Sequence, residues 1–481
     1  MKTNTKRTGE ATPGFTTHGG ARAAKEGPEK ELIRTVSGCL LWEDSFYESG
    51  SSIASRIEGL CEQVSLKFLS EVAIRTRKDL KMRHVPLFLC VQMLKKKGTP
   101  EERNLISETI AEVIKRADET SEILAMYWKD GKKKLPRQLK GGVAKAFRKF
   151  DEYQLSKWNR DKAIMLRDAL FLCHAKPKDK EQAVLFKKLV DCKLPPAETW
   201  EVMMSGGMSK GAAFTKLLTE KKLGYMALLQ NLRNMEEGGV EKSLIEKALI
   251  EGAPKSWALP FRFIVAAKHV PKFEGLLDRA MVAAAAGLPK LPGRTLLVVD
   301  VSGSMNGALS TGPKKKKWGD SDEQVTTRLD AACGLSILMR EQAEDITIYA
   351  TGGDDARKKH ATTIVPDRHG NSLRDAINHN VSALGGGGIF LKQCIEYIQG
   401  KEKKPFDRVI VITDEQDCDD PRVKASATPM LGKFNYIINV GVYAPALPVT
   451  GAGWIRVSGF SERVVDWMMA EEDEAVLANK Q

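Results

Sequence analysis

Arg294-Thr-Leu-Leu-Val-Val-Asp-Val-Ser-Gly-Ser-Met305 reads as a buried strand that ends abruptly in a polar loop. Thr295–Val299 is apolar and rich in β-branched residues, the texture of a strand covered on both faces of a parallel sheet. Asp300, Ser302 and Ser304 follow at alternate positions. Hard divalent cations take oxygen ligands, and Mg²⁺ commonly uses one or two carboxylates with waters completing its shell. One carboxylate and two hydroxyls beyond a strand's carboxyl end supply such a partial shell, at the edge where open α/β sheets bind their ligands. Taken alone, Asp-x-Ser-x-Ser also suits a Ser-Gly turn whose hydroxyls cap the next helix. The wider sequence favours the metal loop.

Downstream, the hydrophobic pattern predicts strands at 295–300, 345–350, 407–413 and 435–442, with a short one near 454–458. Helices are expected at about 326–343, 371–382, 389–400 and 461–470. This alternation implies a mostly parallel, doubly wound, Rossmann-like sheet covered by helices. Val409–Ile412 is a second buried strand, and it runs into Thr413-Asp414-Glu415-Gln416. If the two strands are neighbours, Asp414 joins Asp300 at one sheet edge. Of the acidic run 414–420 only Asp414 is assigned to a metal. Lys314–Lys317 reads as an exposed loop. Leu384-Gly-Gly-Gly-Gly-Ile389 is a loop whose glycines permit close backbone approach.

Upstream the texture is different. Residues 1–28 are Gly-, Thr- and Lys-rich and are expected to form an extended arm. From Glu29 to Ala286 apolar residues recur at helical spacing, in Ile53–Leu69, Val85–Leu94, Leu105–Ile114, Val184–Leu189 and Met226–Met235. Breaks at Gly98-Thr-Pro100, Lys176-Pro177, Leu194-Pro195-Pro196 and Ala253-Pro254 separate them. Many short helices without a strand signal suggest an α-solenoid, although no sequence period repeats cleanly. Gly287-Leu-Pro-Lys-Leu-Pro-Gly293 is the expected hinge. The expected domains are therefore the arm (1–28), a helical domain (29–290) and an α/β domain (294–481).

The chain has 481 residues, too many for one ordinary core at roughly 150 per domain. No apolar run reaches the roughly 18–20 residues that span a bilayer, and the polar, basic N-terminus does not resemble a secretory signal. Eight cysteines are scattered singly with no C-x-x-C pair. That favours reduced thiols in a cytoplasmic protein and argues against a zinc cluster or disulfide framework. Charge is unevenly placed. Residues 294–481 carry 23 Lys and Arg against 26 Asp and Glu, so the whole-chain net of +13 arises entirely from the residues before them. A strongly cationic helical part implies a polyanionic partner, nucleic acid first, because neutralised phosphates release counterions. A merely Lys-rich solvated surface is the plainer alternative.

The two halves together resemble the Ro autoantigen family, of the bacterial or phage type, in which a TROVE module precedes a von Willebrand factor A domain. Phe15-Thr-Thr-His-Gly-Gly20, Leu40-Leu-Trp-Glu-Asp-Ser-Phe-Tyr-Glu48, Arg83-His-Val-Pro86, His174-Ala-Lys-Pro177, Met226-Ala-Leu-Leu-Gln-Asn-Leu-Arg-Asn-Met235 and Leu259-Pro-Phe-Arg262 carry the resemblance, followed by the Asp-Val-Ser-Gly-Ser and Ile-Thr-Asp-Glu-Gln stretches. It implies paired HEAT-like helices curled into a monomeric ring and closed by the A domain. It further implies a basic outer surface for small noncoding Y-like RNA and a central hole for single-stranded 3′ ends of misfolded RNA. Such a ring is a scaffold or chaperone in RNA quality control, sometimes tethered to a 3′-to-5′ exoribonuclease, and not itself an enzyme. The A-domain resemblance implies a metal-ion-dependent adhesion site at Asp300, Ser302, Ser304 and Asp414, holding Mg²⁺ or another divalent cation. The Thr that the family's Gly-rich loop delivers is replaced here by Gly388 or Ile389.

Lys132–Lys149 is the densest basic stretch. Lys140, Lys145, Arg148 and Lys149 recur at helical spacings that let part of the set share a face. Phosphate contacts of this kind position RNA without reading its sequence. Phe147, Phe150 and Tyr153 are interleaved aromatics able to stack bases, though Phe147 and Phe150 also suit a core. His174 matches an RNA-contacting His of the family, and Lys149 matches a basic residue ahead of it. Arg83 and Arg137 complete the RNA candidates on charge and local similarity. The alternative function is a metal-dependent protein-interaction module whose acidic partner completes the Asp300 site. A hydrolase is disfavoured, because the histidines and cysteines form no nucleophile–base constellation and a lone adhesion-type metal lacks the paired-metal geometry of nucleases.

Overall fold

The computed structural model describes residues 23–24, 27–38, 50–79, 82–256, 258–288, 290–309, 326–418, 428–440, 447–448, 453–458, 464–465, 468–469 and 472. Most of the expected arm, the Phe15–Gly20 and Leu40–Glu48 segments, Lys314–Lys317 and most of the 461–470 helix lie outside these residues. The chain divides into two compact units. One comprises Glu31–Val36 and Ser52–Ser209, the other Met1–Lys30, Ser37–Ser51 and Lys210–Gln481.

The first unit is helical throughout its described residues, from the Gly50–Gln63 helix to the short Trp200–Ser205 helix. Ile53–Leu69, expected as one helix, is two. Ser65 adopts extended backbone and its hydroxyl accepts from Phe68 N at 3.1 Å, starting the Leu66–Lys78 helix afresh. The break at Gly98-Thr-Pro100 is a capping box: Thr99 and Glu102 satisfy each other's backbone N–H, and Pro100 opens the Pro100–Val113 helix. That helix packs against the Arg137–Phe147 helix, whose Leu139, Val143, Ala146 and Phe147 are buried. The approach depends on Gly142, where a Cβ would stand 2.6 Å from Ile110 Cβ. Phe147 meets Phe150 and Phe186 edge-on with centroids 6.1 and 6.0 Å apart, so Phe147 and Phe150 are core residues.

The second unit carries helices and a six-stranded sheet. The strands are β2 (Leu291–Asp300), β3 (Ala343–Asp354), β4 (Lys359–Ile364), β5 (Phe406–Thr413), β6 (Gly432–Asn439) and β8 (Trp454–Ser458), in the order β4-β3-β2-β5-β6-β8. β1 (Ala23–Ala24) and β7 (Leu447–Pro448) form a separate two-residue antiparallel pair. All pairings in the large sheet are parallel except β3–β4. The antiparallel edge strand β4 was not legible in the sequence: it opens on Lys359-His360 and its burial does not alternate. β2 lies between its sequence successor on one side and β5 on the other, so the direction of winding reverses beside it. Its carboxyl end is thus a topological switch point.

The expected hinge at 287–293 does not separate the compact units. β2 already begins at Leu291, and the helices before it pack on the sheet's own helices. The Pro260–His269 helix meets the Arg328–Gln342 helix at Gly334, where a Cβ would lie 3.1 Å from Phe261 N. Lys268 pairs with Asp330 at 2.6 Å, Asp278 accepts from Asn371 N at 2.7 Å, and Glu274 pairs with Arg374 at 3.1 Å. These contacts move the boundary to Ser209/Lys210. Among the described residues no helix is long and apolar enough to cross a membrane.

Candidate functional site

The strand-end loop forms where β2 and β5 run side by side. Val299 stands opposite Ile412, which sets Asp300 beside Thr413 and brings Asp414 to the same edge. Asp300 is fully buried. Its Oδ1 accepts from Ser302 N at 2.8 Å and its Oδ2 from the Thr413 hydroxyl at 2.7 Å. The Ser302 and Ser304 hydroxyls are 3.2 Å apart. Burial, and then the neighbouring Asp414 charge, push the Asp300 carboxyl up to about 7. Thr413 was not singled out from sequence, although its place at the end of β5 is the signal that finds it.

Asp414 is the surprise. Its Oδ2 accepts from Arg328 Nη1 at 2.5 Å and from Gln416 Nε2 at 2.9 Å. Arg328 is itself 1% exposed and donates also to the Ser304 carbonyl at 3.2 Å. Asp414 Oδ1 has no hydrogen-bond partner among the described residues. The Gly-rich loop brings only main chain: Gly303 N donates to Gly387 O at 3.4 Å, and Ile389 is buried. The four expected ligands are thus gathered, with one free carboxylate oxygen. However, a guanidinium already neutralises the second carboxylate, so the residues do not fit a divalent ion. Among the described residues no group of three or more His, Cys, Asp or Glu is arranged to hold a metal ion. The adjacent Glu415 has left-handed backbone (φ 59°) and is fixed by Arg456 and Asn439, each at 2.7 Å.

The basic candidates lie in the helical unit, which holds 32 Lys and Arg against 21 Asp and Glu over residues 52–209. Residues 129–149 concentrate this excess, with nine basic residues and one acidic. Because the Arg137–Phe147 helix buries its apolar stripe, Arg137, Lys145 and Arg148 emerge on the exposed side and Lys140 at its margin. Lys145 pairs with Glu108. Lys149 is committed to structure: its ammonium donates to the Ala111 carbonyl and, at 3.4 Å, to that of Ile114, closing the end of the Pro100–Val113 helix. Burial, then Lys115, lower its pKa.

Arg83 is held more firmly still. Its guanidinium meets Asp118 at 2.7 Å, Glu122 at 2.5 Å and Glu119 at 3.5 Å. These carboxylates open the Asp118–Tyr127 helix, which favours negative charge at that end. Glu119 is wholly buried, and it also accepts from Arg77 through both oxygens and from the N–H groups of Lys115 and Arg116. Arg83 is therefore part of an internal ion network and not a free phosphate contact.

His174 ends the Leu166–Cys173 helix in left-handed conformation, φ 53° and ψ 45°, with its side chain exposed. The Arg137–Phe147 helix packs against the Leu166–Cys173 helix, so the basic helix and His174 belong to one neighbourhood. His174→Gly relieves the left-handed backbone and is expected to raise the unfolding free energy by about 0.5–1 kcal/mol, read from the urea midpoint. Sequence reasoning missed Phe171, which is 57% exposed. It falls off the buried stripe Leu166, Ala169, Leu170 and Cys173, a departure that the spacing records. It also missed Trp158, whose ring is faced by Arg116 at 3.4 Å, Arg160 at 5.3 Å and Lys157 at 5.4 Å. Tyr153 is exposed as anticipated, with its hydroxyl accepting from Lys157 at 3.3 Å.

A helical unit with a cationic face, joined in one chain to an α/β sheet domain with an Asp-x-Ser-x-Ser loop at its switch point, defines the class of protein. Residues 191–383 match the family model of the TROVE domain, a range that runs from the last helix of the first unit into the sheet domain. Among solved structures, the Ro protein (RSR) of Deinococcus radiodurans matches with a TM-score of 0.60 at 17% identity, covering 92% of this chain and 99% of that one. No curated protein sequence matches. Residues 191–383 are thus similar to a TROVE domain, and the fold as a whole is similar to that of a Ro protein.

Proposed function

We propose that the protein is a non-catalytic, cytoplasmic RNA-binding ring. In this reading paired HEAT-like helices form the ring and the sheet domain is a von Willebrand A-type closure. The ring holds a small noncoding Y-like RNA on its basic outer surface and admits single-stranded ends of misfolded RNA, as scaffold or chaperone in RNA quality control. An exoribonuclease is a partner in that role. The observation that carries the proposal is the concentration of nine basic residues against one acidic in 129–149, beside the exposed His174. Arg137, Lys140 and Arg148 are the principal phosphate contacts, Lys145 a weaker one, and Phe171 and Tyr153 are exposed rings for stacking.

Crosslinking in cells, followed by sequencing of the bound RNA, tests the proposal: an enriched small structured RNA is expected, and recovery of no enriched RNA overturns the scaffold reading. In vitro, affinity for a hairpin RNA with a single-stranded 3′ tail should fall steeply and linearly with log salt. His174→Gly should weaken that binding while retaining stability, which assigns the loss to the imidazole. The alternative, a metal-dependent protein-interaction module, requires a divalent ion at Asp300, Ser302 and Ser304, and the guanidinium on Asp414 counts against it.

A further inference from the structure

We propose that Arg328 is the resident cation of the strand-end site, so that Asp300, Ser302, Ser304 and Asp414 hold their arrangement without a divalent ion. Arg328 is the first residue of its helix. The Thr327 hydroxyl accepts from Asp330 N at 3.1 Å, Asp330 accepts from Thr327 N at 2.7 Å, and Lys268 holds Asp330 in turn. The helix start is thereby fixed, and Arg328 N donates to Gly307 O at 3.0 Å. From this anchor the side chain reaches Asp414 at 2.5 Å and the Ser304 carbonyl at 3.2 Å, joining the metal-type loop to the end of β5. A Cβ at Gly307 would lie only 3.4 Å from the guanidinium carbon, so the loop closes over the charge.

The remaining oxygens agree. Both Asp300 oxygens are already hydrogen-bonded within the protein, and the third loop contributes no side-chain oxygen where a Thr would be needed. A divalent ion reaching Asp414 would face a guanidinium across the same carboxylate, and two cations repel strongly away from water. A covalently tethered charge supplies the neutralisation that an ion would otherwise bring. Among the described residues, the strand-end site therefore offers no divalent ion with which to capture an acidic residue of a partner. This inference stands independently of RNA binding.

The test uses the full chain, with Mn²⁺ as the probe and the free ion followed by electron paramagnetic resonance. Wild type and Asp300→Asn should give the same Mn²⁺ isotherm, and the wild-type melting temperature should be the same in EDTA and in millimolar Mg²⁺. Arg328→Met should lower the melting temperature whether or not Mg²⁺ is present. One equivalent of Mn²⁺ bound by wild type and lost in Asp300→Asn would overturn the proposal. So would a folded Arg328→Met chain that melts like wild type. If Arg328→Met fails to fold, the comparison of wild type with Asp300→Asn still decides.

Discussion

Replacing Arg137, Lys140 and Arg148 together by Glu is expected to weaken binding of a 3′-tailed hairpin RNA by roughly 100-fold near physiological salt. Each lost charge-assisted phosphate contact costs about 1 kcal/mol, and 1.4 kcal/mol is tenfold in affinity. The slope of log affinity against log salt should become shallower by about 2–3, close to one unit per lost contact. Fluorescence anisotropy over a salt series measures both. Arg137 and Arg148 lie on the solvent side and Lys140 at its margin, opposite the buried stripe, so the fold should tolerate the change. Lys216→Glu, Lys255→Glu and Lys404→Glu together, at exposed positions of the other unit, alter net charge by the same amount and should change affinity by much less. Equal losses from the two sets would mean that RNA responds only to overall charge.

The second large effect concerns stability. Glu119→Ala should destabilise the helical unit by about 3–5 kcal/mol in chemical denaturation, because it strands a mostly buried Arg77 and leaves two backbone N–H groups unsatisfied. Arg77→Met combined with Glu119→Ala should recover part of that loss, since the isolated charge is then gone. Arg83→Ala should likewise reduce stability more than RNA affinity. That contrast separates the internal ion network from the exposed basic face.

Much of this architecture was legible in the sequence, and the reasons are local. β2 and β5 announce themselves as apolar runs ending in Asp, and parallel pairing then delivers Asp300 and Asp414 to one edge. The Gly98-Thr-Pro100 break marked the Pro100 helix start, and the helical spacing of basic residues marked the face of the Arg137–Phe147 helix. What escaped was long-range. Arg83 reads as a free charge until the fold brings Asp118 to it across 35 positions. Lys149 reads as a phosphate contact until its ammonium is seen closing another helix. Arg328 carries no motif at all. Its partner Asp414 lies 86 positions away, so only the folded chain shows that the metal-type loop contains its own cation. The boundary between units moved for the same reason, since helix-on-helix contacts such as Phe261 against Gly334 leave no mark in a Pro- and Gly-rich linker.

The central claim is that RNA lies on the basic helical face, and ultraviolet crosslinking of the full chain to a 3′-tailed hairpin RNA, with the modified peptides identified by mass spectrometry, tests it most directly. The account predicts crosslinks within residues 129–153 and 171–176, lost at high salt and reduced by the Arg137, Lys140 and Arg148 substitutions. Crosslinks confined to the sheet domain, or none in the helical unit, would contradict it.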